Sequence, residues 1–342
     1  MTTLSVVMAT FRGARWLPEQ LASIARQTRR PDELVVSDDG SDDATPAVLA
    51  DFARWAPFPV RILDGPRAGL ADNFRHALEA SRGDVIAWSD QDDIWLPAKL
   101  ERCLDTLAGT GADLVHHAAR VVDADAESLG FNHPDPRRTI CLDPLQGDPW
   151  HVASGFATVF RRRLLDDLRH GRGLDRVAWD TRPNSHQTLR AMHHDHVVAL
   201  IAFARGRRCE LAEELALYRQ HGANAAGAPT VRGAAAWWGA LSIGADEFAI
   251  RADAARGYGV WLQSIGVSSG GYFERLARRW DRRAETYRDT DGATLGVRVT
   301  RGLGVLARRA TGDHDYAATD RGGMGVAALA KDALATVIGT QA

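Results

Sequence analysis

Four short apolar runs, each followed by a helical pattern, constrain this chain more than any other feature. The runs are Leu4–Ala9, Glu33–Ser37 (centred on Leu34, Val35 and Val36), Val60–Leu63 and Val85–Trp88. The first is continuous, as a strand covered on both sides would be, and the other three read as further strands. Helical stripes follow: Leu17, Leu21 and Ile24; Val48, Leu49, Phe52 and Trp55; Leu70, Phe74, Ala77 and Leu78; Leu96, Leu100, Leu104 and Leu107. Pro18 falls in the first turn of its stripe, where a missing N–H costs little. This βαβαβαβα rhythm predicts an α/β fold, a mostly parallel sheet with helices on both faces.

Beyond residue 110 the pattern loosens. Asp113–Val122 reads as a strand pair, and Phe156–Phe160 as a further strand. Residues 130–150, rich in Pro, Asp and Arg, read as a surface loop, and Leu189–Phe203 as a helix apolar on one side. From about Ala225 the chain turns to Ala/Arg/Gly-rich helical segments, so residues 1–227 are expected to form the α/β domain and 228–342 a C-terminal helical extension. With 342 residues, 45% of them hydrophobic, the chain can bury a large core without disulfides or structural metal. Its 42 basic and 44 acidic residues sum to −2, which argues against a globally electrostatic nucleic-acid binder. Cys103, Cys141 and Cys209 form no CxxC. A disulfide framework or zinc ribbon is not expected, and a reducing cytosolic setting fits. The N-terminal apolar run lacks a basic start and reads as a strand, not a signal peptide. No stretch approaches the ~20 apolar residues of a membrane span.

Ligands of parallel α/β sheets bind beyond the carboxyl ends of the strands. Two of those ends are acidic: Asp38-Asp39-Gly40-Ser41 after the second strand, and Asp90-Gln91-Asp92-Asp93 after the fourth. The first also suits a solvated turn, since Asp-Gly favours tight turns. The second also suits a helix start, with Trp95 and Pro97 following. A cap does not need three carboxylates within four residues, however. Such charges repel, so a cation or a ligand is expected among them. The spacing is not that of an EF-hand and suits Mg²⁺ or Mn²⁺ shared with substrate phosphates. No Walker A sequence is present. Gly302, Gly304 and Ala307 fit GxGxxA only superficially, without a preceding strand, and there is no GxSxG elbow. His193, His194 and His196 hint at zinc, but His194 and its neighbour Asp195 would point about 100° apart on a helix and not chelate one ion together. His221 alone reads first as a structural hydrogen-bonder.

In this order the motifs resemble family 2 glycosyltransferases of the GT-A fold. They are Val6-Val7-Met8-Ala9-Thr10-Phe11, Ser37-Asp38-Asp39-Gly40-Ser41-Asp42-Asp43 and Ser89-Asp90-Gln91-Asp92-Asp93-Ile94-Trp95. The last run, with Pro97, Lys99, His194-Asp195 and the segment Tyr218–Asn224, is similar to the bacterial rhamnosyltransferase-like branch. The likeness spans roughly residues 4–227. It implies that Thr10 and Phe11 border the base of a sugar nucleotide and that Asp39 reads the uracil or thymine edge. Asn73 matches an Asn of the nucleotide side, although Asp72 stands where relatives often carry a basic residue. Asp90 matches the acid near the ribose, Asp92 the metal ligand and His221 a late metal-site histidine. Gly155, after Ser154, matches the loop that admits the donor sugar. Asp195 matches the catalytic carboxylate, with His194 and Asp93 in support.

The implied function is an inverting, Mg²⁺- or Mn²⁺-dependent transfer of a sugar, with rhamnose one candidate. The donor would be UDP- or dTDP-linked, and the acceptor a hydroxyl of a glycan or lipid-linked intermediate in bacterial surface polysaccharide assembly. Two rivals stand beside it. A nucleotidyltransferase would want a Gly-rich basic loop after the first strand, where Thr10–Arg15 has one Gly and two Arg. A non-catalytic sugar-nucleotide-binding subunit would have no need of the full acidic set. Residues 275–309 carry ten arginines against four acids, beside an apolar stripe of Tyr272, Phe273, Leu276 and Trp280. This is either an ordinary surface helix or a peripheral contact with the inner face of the cell membrane. Nucleic acid fits it poorly, for want of a recognition motif.

Overall fold

The structure, a computed structural model, describes residues 2–147, 149, 154–165, 194–222, 224 and 245–288. The chain falls into two compact units. One comprises Met1–Pro144, His151–Gly171 and Met192–Ala228, and the other Leu145–Trp150, Arg172–Ala191 and Pro229–Ala342. The Gly302–Ala307 fingerprint, residues 189–193 of the expected helix and arginines 298, 301, 308 and 309 lie outside the described residues.

The first unit is built on one sheet. Its first half alternates β1 (Leu4–Thr10), α1 (Leu17–Ala25), β2 (Glu33–Asp38), α2 (Thr45–Trp55), β3 (Val60–Asp64), α3 (Leu70–Ala80) and β4 (Val85–Ser89). Then come β5 (Ile94–Trp95), α4 (Lys99–Thr110), β6 (Leu114–Val122), β7 (Ser128–Asn132), β8 (Ile140–Leu142), a 3-10 turn (Gly155–Ala157), β9 (Thr158–Arg161), α5 (His194–Arg205) and β10 (Arg208–Arg219). The strands lie in the order β3-β2-β1-β4-β9-β6-β10-β5, with β7 beside β6 and β8 beside β10. β1 runs parallel between β2 and β4, and β3 parallel to β2. β9 joins β4 to β6 antiparallel to both, and β10 runs parallel to β6. The chain turns to opposite sides of β1 to reach β2 and β4. A crevice therefore opens where Thr10, Asp38 and Ser89 end their strands.

Local sequence explains these elements. Every residue of β1 is buried, as its unbroken apolar run demands. The helices present Leu17, Leu21 and Ile24, then Leu49 and Phe52, then Phe74, Ala77 and Leu78 to the core. Burying each of these Leu, Ile and Phe side chains stabilises by about 1.5–3 kcal/mol, and the Ala77 methyl by less. Gly111 ends α4 at φ 69°, the left-handed conformation that suits glycine at a helix C-terminus.

Several expectations need correction. Asp113–Val122 is not a strand pair but one strand, Leu114–Val122. Trp95 does not open a helix. It forms β5 with Ile94, paired to Leu217 and Ala216 of β10, because the edge of β10 offers it partners and burial. The helix waits until Lys99. Within 130–150, β7 pairs with β6 and β8 with β10, so that stretch is not all loop. Residues 197–204 of α5 are all buried, so this helix is apolar all round instead of on one side. Finally, Cys141 and Cys209 face each other in register on β8 and β10, 4.0 Å apart at Cα, and are joined as a disulfide. Sixty-eight residues of sequence separate them, so spacing alone could not pair them. Cysteine usage therefore lends no support to a reducing compartment.

In the second unit, helices Ala245–Ser264 and Tyr272–Arg288 lie against each other. Phe248 stacks on Trp280 with centroids 5.7 Å apart, and Tyr258 meets Phe273 edge-on at 5.9 Å, so the helices run antiparallel. Gly266, Gly270 and Gly271 take positive φ in the connection. The stripe of Phe273, Leu276 and Trp280 is buried in this pairing, and Arg283 is buried with it, over Phe248 and Trp280. Arg275, Arg278, Arg282 and Arg288 stay exposed. Among the described residues, no helix is long and apolar enough to cross a membrane.

Candidate active site

The site is assembled where β1, β2, β4 and β10 end. On one side stand Thr10, Phe11 and Asp39. The Phe11 ring is exposed. Asp39 receives the backbone N–H of Arg67 at 2.6 Å and of Gly69 at 2.9 Å, one on each carboxylate oxygen. It therefore holds the loop before α3, where Gly69 adopts a φ of 92°. Asn73 is buried beneath. Its amide donates to the carbonyls of Thr10 and Ser37 at 3.2 and 3.0 Å, bracing two strand ends. Asp72 pairs with Arg75 on the same helix.

On the other side lies the acidic turn. Burial, and then the charges of Asp92 and Asp195, push the Asp90 carboxyl up to about 8, against the pull of Lys99. Burial, and then the charges of Asp92 and Asp90, push Asp93 well above the usual carboxylate range. Asp92 is raised by burial too, opposed by its hydrogen bond with His221. That bond joins His221 Nε2 to Asp92 Oδ2 at 3.0 Å, and Asn224 donates to the same oxygen at 3.3 Å. The His221 ring stacks on Trp16 at 4.9 Å. Arg219, almost wholly buried, donates from its backbone to Asp93 and from Nε to the carbonyl of Asp92, and pairs with Glu19.

The third part comes from the 3-10 turn and α5. Asp195, in the first turn of α5, accepts the N–H of Gly155 on Oδ2 at 3.1 Å and that of His196 on Oδ1 at 2.8 Å. His194 lies inward, its ring stacked on Phe74 at 3.6 Å and edge-on to Trp88 at 4.9 Å. A Cβ at Gly155 would meet His194 Nε2 at 2.8 Å, so this ring requires the glycine.

Thr10, Phe11, Asp39, Asn73, Asp90, Asp92, Asp93, Gly155, His194, Asp195 and His221 thus all belong to the first unit. Three residues with no role assigned from sequence join them. Gln91 accepts from the Thr10 hydroxyl at 2.6 Å and the Phe11 N–H at 3.0 Å, and its amide donates to the Phe11 carbonyl. Its one signal in the sequence is an amide within a run of acids. Arg219 falls within the Tyr218–Asn224 segment of the resemblance, with no role attached to it. Lys99, buried with Nζ 3.6 Å from the Trp95 ring centroid, belongs in the sequence to the motif shared with the rhamnosyltransferase-like branch, with no role attached to it. Its own burial lowers it to about 7.

Residues 5–169 match the family described as Glycosyl transferase family 2. An uncharacterized glycosyltransferase of Nostoc sp. is 27% identical over 225 residues, 65% of this chain and 66% of that one. An uncharacterized protein of Mycobacterium tuberculosis is 28% identical over 64% of this chain and 59% of its own. The chain thus spans less than two thirds of either relative. The dTDP-rhamnosyl transferase RfbG of Shigella flexneri is 33% identical over 31% of this chain and 38% of that protein. Among solved structures, S. aureus TarS 1-349 in complex with UDP superposes with a TM-score of 0.55 at 16% identity, covering 98% of this chain and 88% of that one. This last likeness is one of fold, and the fold is the one the motif resemblance implied.

Proposed function

We propose, from the match of residues 5–169 to glycosyl transferase family 2, that the chain is an inverting, metal-dependent glycosyltransferase of that family. It would move a sugar from a UDP- or dTDP-linked donor to a hydroxyl of a glycan or lipid-linked acceptor, in the assembly of a bacterial surface polysaccharide. One observation carries the reading: the carboxylates Asp90, Asp92, Asp93 and Asp195 gather at the strand ends, where burial and the charges of Asp92 and Asp195 raise Asp90 to about 8, and burial and the charges of Asp92 and Asp90 raise Asp93. Such a cluster is poised for a cation and a substrate. The dTDP linkage and rhamnose draw support from the name of the Shigella relative, and UDP from the TarS complex with that nucleotide.

Thr10, Phe11 and Asp39 would border the base and Asp90 the ribose, while Gly155 borders the sugar. A divalent cation, Mg²⁺ or Mn²⁺, suits Asp92 and His221, whose donor atoms are 3.0 Å apart. Among the described residues no group of three or more His, Cys, Asp or Glu gathers as a metal site, so phosphate oxygens and water would complete the shell. When bound, the cation offsets charge developing on the leaving diphosphate. A backbone N–H on each oxygen fixes the orientation of Asp195. A carboxylate offers about four acceptor sites in all, enough to take the acceptor proton as well. As general base opposite the leaving group, it directs an in-line displacement that inverts the anomeric centre. Peripheral attachment to the cytoplasmic face of the membrane, part of the same reading, would rest on the exposed arginines alone. Phe273, Leu276 and Trp280 of the apolar stripe beside them are already buried in the helix pair.

The test is a panel of UDP- and dTDP-sugars with Mn²⁺ or Mg²⁺, scored for binding by calorimetry and for transfer or slow hydrolysis. Metal-dependent binding and turnover of one donor is the expected result, and no binding by any donor overturns the reading. Pyrophosphate release from a sugar phosphate and an NTP would instead show nucleotidyl transfer. Salt-sensitive flotation with anionic liposomes checks the membrane contact; absence of flotation at low salt removes it.

A further inference from the structure

We propose that Lys99 is a positioning residue for the transfer reaction: its buried ammonium locks the Gly155–Ala157 turn, which in turn orients the carboxylate of Asp195. The inference rests on the function proposed above for its kinetic readout.

Lys99 is the first residue of α4, a place where a lysine ordinarily reaches water, yet it has no exposed surface. A buried ammonium must find partners. Nζ donates to the carbonyl of Phe156 at 2.5 Å and sits over the Trp95 ring at 3.6 Å. Phe156 is the middle residue of the 3-10 turn, and its ring stacks on Tyr218 at 4.5 Å. The preceding residue, Gly155, gives its N–H to Asp195 Oδ2. The turn is thus clamped between the Lys99 ammonium on its carbonyl and the His194 ring, which leaves no room for a Cβ at Gly155. A solvated lysine would do none of this. An apolar side chain at 99 would leave the Phe156 carbonyl without this donor, and the turn free to shift. A misplacement of the order of 1 Å at a catalytic group can cost about 100-fold.

The experiment compares Lys99→Met and Lys99→Arg in the full chain, by steady-state transfer kinetics and by deuterium exchange of the Gly155–Ala157 amides. For Lys99→Met the expectation is a kcat about 10- to 100-fold lower, a donor KM within about threefold of wild type, and faster exchange across the turn. Lys99→Arg, which keeps a cationic donor, is expected to recover part of kcat. Should Lys99→Met not fold, Lys99→Gln, which removes the charge but keeps a polar side chain, takes its place, with the same kcat-selective loss and faster exchange across the turn expected. An unchanged kcat in the folded variant, or a KM that rises as far as kcat falls, overturns the proposal. If the wild-type protein transfers no sugar from any donor, the functional reading fails by itself. Exchange then decides for Lys99, and unchanged protection of the turn in Lys99→Met overturns it.

Discussion

Two acidic turns follow parallel strands that flank β1, and they treat their charge in opposite ways. After β2, Asp38 accepts the backbone N–H and hydroxyl of Ser41, and Asp39 accepts two backbone N–H groups from the loop before α3. These carboxylates are satisfied by their own fold and shape a surface. After β4, Asp90 and Asp93 are pushed far up by burial, and then by their acidic neighbours, with Lys99 as a buried cation acting on both. The first turn is finished without a ligand. The second holds repulsion that Lys99 offsets only in part, and that protons, a cation or a bound substrate can relieve.

The largest effect should come from the group closest to the second turn's chemistry. Asp195→Asn should lower turnover by about 10²–10⁴-fold, with donor affinity by calorimetry largely kept. Turnover equal to wild type would remove Asp195 from the mechanism. Asp92→Ala should abolish the response to added Mn²⁺ together with most activity; a titration superimposable on that of wild type would break the assignment of the second turn to a cation. Asp39→Ala, at the first turn, should act on binding instead. Losing two charge-assisted hydrogen bonds costs about 1.5–3 kcal/mol each at most, and a donor KM raised about tenfold with kcat nearly kept is expected. If kcat falls and KM does not, the contrast between the turns is wrong.

The smallest effect is one of stability in the metal-free protein. Folded Asp90 keeps its proton up to about 8, whereas an unfolded Asp releases it near pH ~3.9. Between those values the folded state binds more protons, so this residue makes stability fall as pH rises. Asp90→Asn removes that penalty while disabling the site. Its Tm should exceed that of wild type at pH 8 by at least about 2–4 °C, and the gap should close toward pH 5. A gap that widens on acidification would contradict the burial of this charge.

The first half of the fold is legible in the sequence because its signals are local. Apolar runs and helical stripes name β1 to β4 and α1 to α3 without reference to partners, and the acids at strand ends stand out from them. The second half is defined by what it meets. Trp95 is a strand residue only because β10 lies beside it. Cys141 finds Cys209 only through the pairing of β8 with β10. Lys99 is buried because Asp90, Asp93 and the Phe156 carbonyl converge on it, and no spacing in the sequence announces that convergence. Asp39 shows a subtler gap: its carboxylate is visible in the sequence, but its grip on the Arg67–Gly69 loop is not.

Gln91 has a thermodynamic consequence. A single side chain from the second turn accepts from Thr10 and Phe11 and donates back to Phe11, so the loop proposed to border the base and the turn proposed to hold the cation share one link. Any coupling that this link carries between the two proposed sites is reciprocal. Whatever factor a divalent ion contributes to nucleoside affinity, the nucleoside must return to the ion, and Gln91→Ala should drive both factors toward unity in paired titrations.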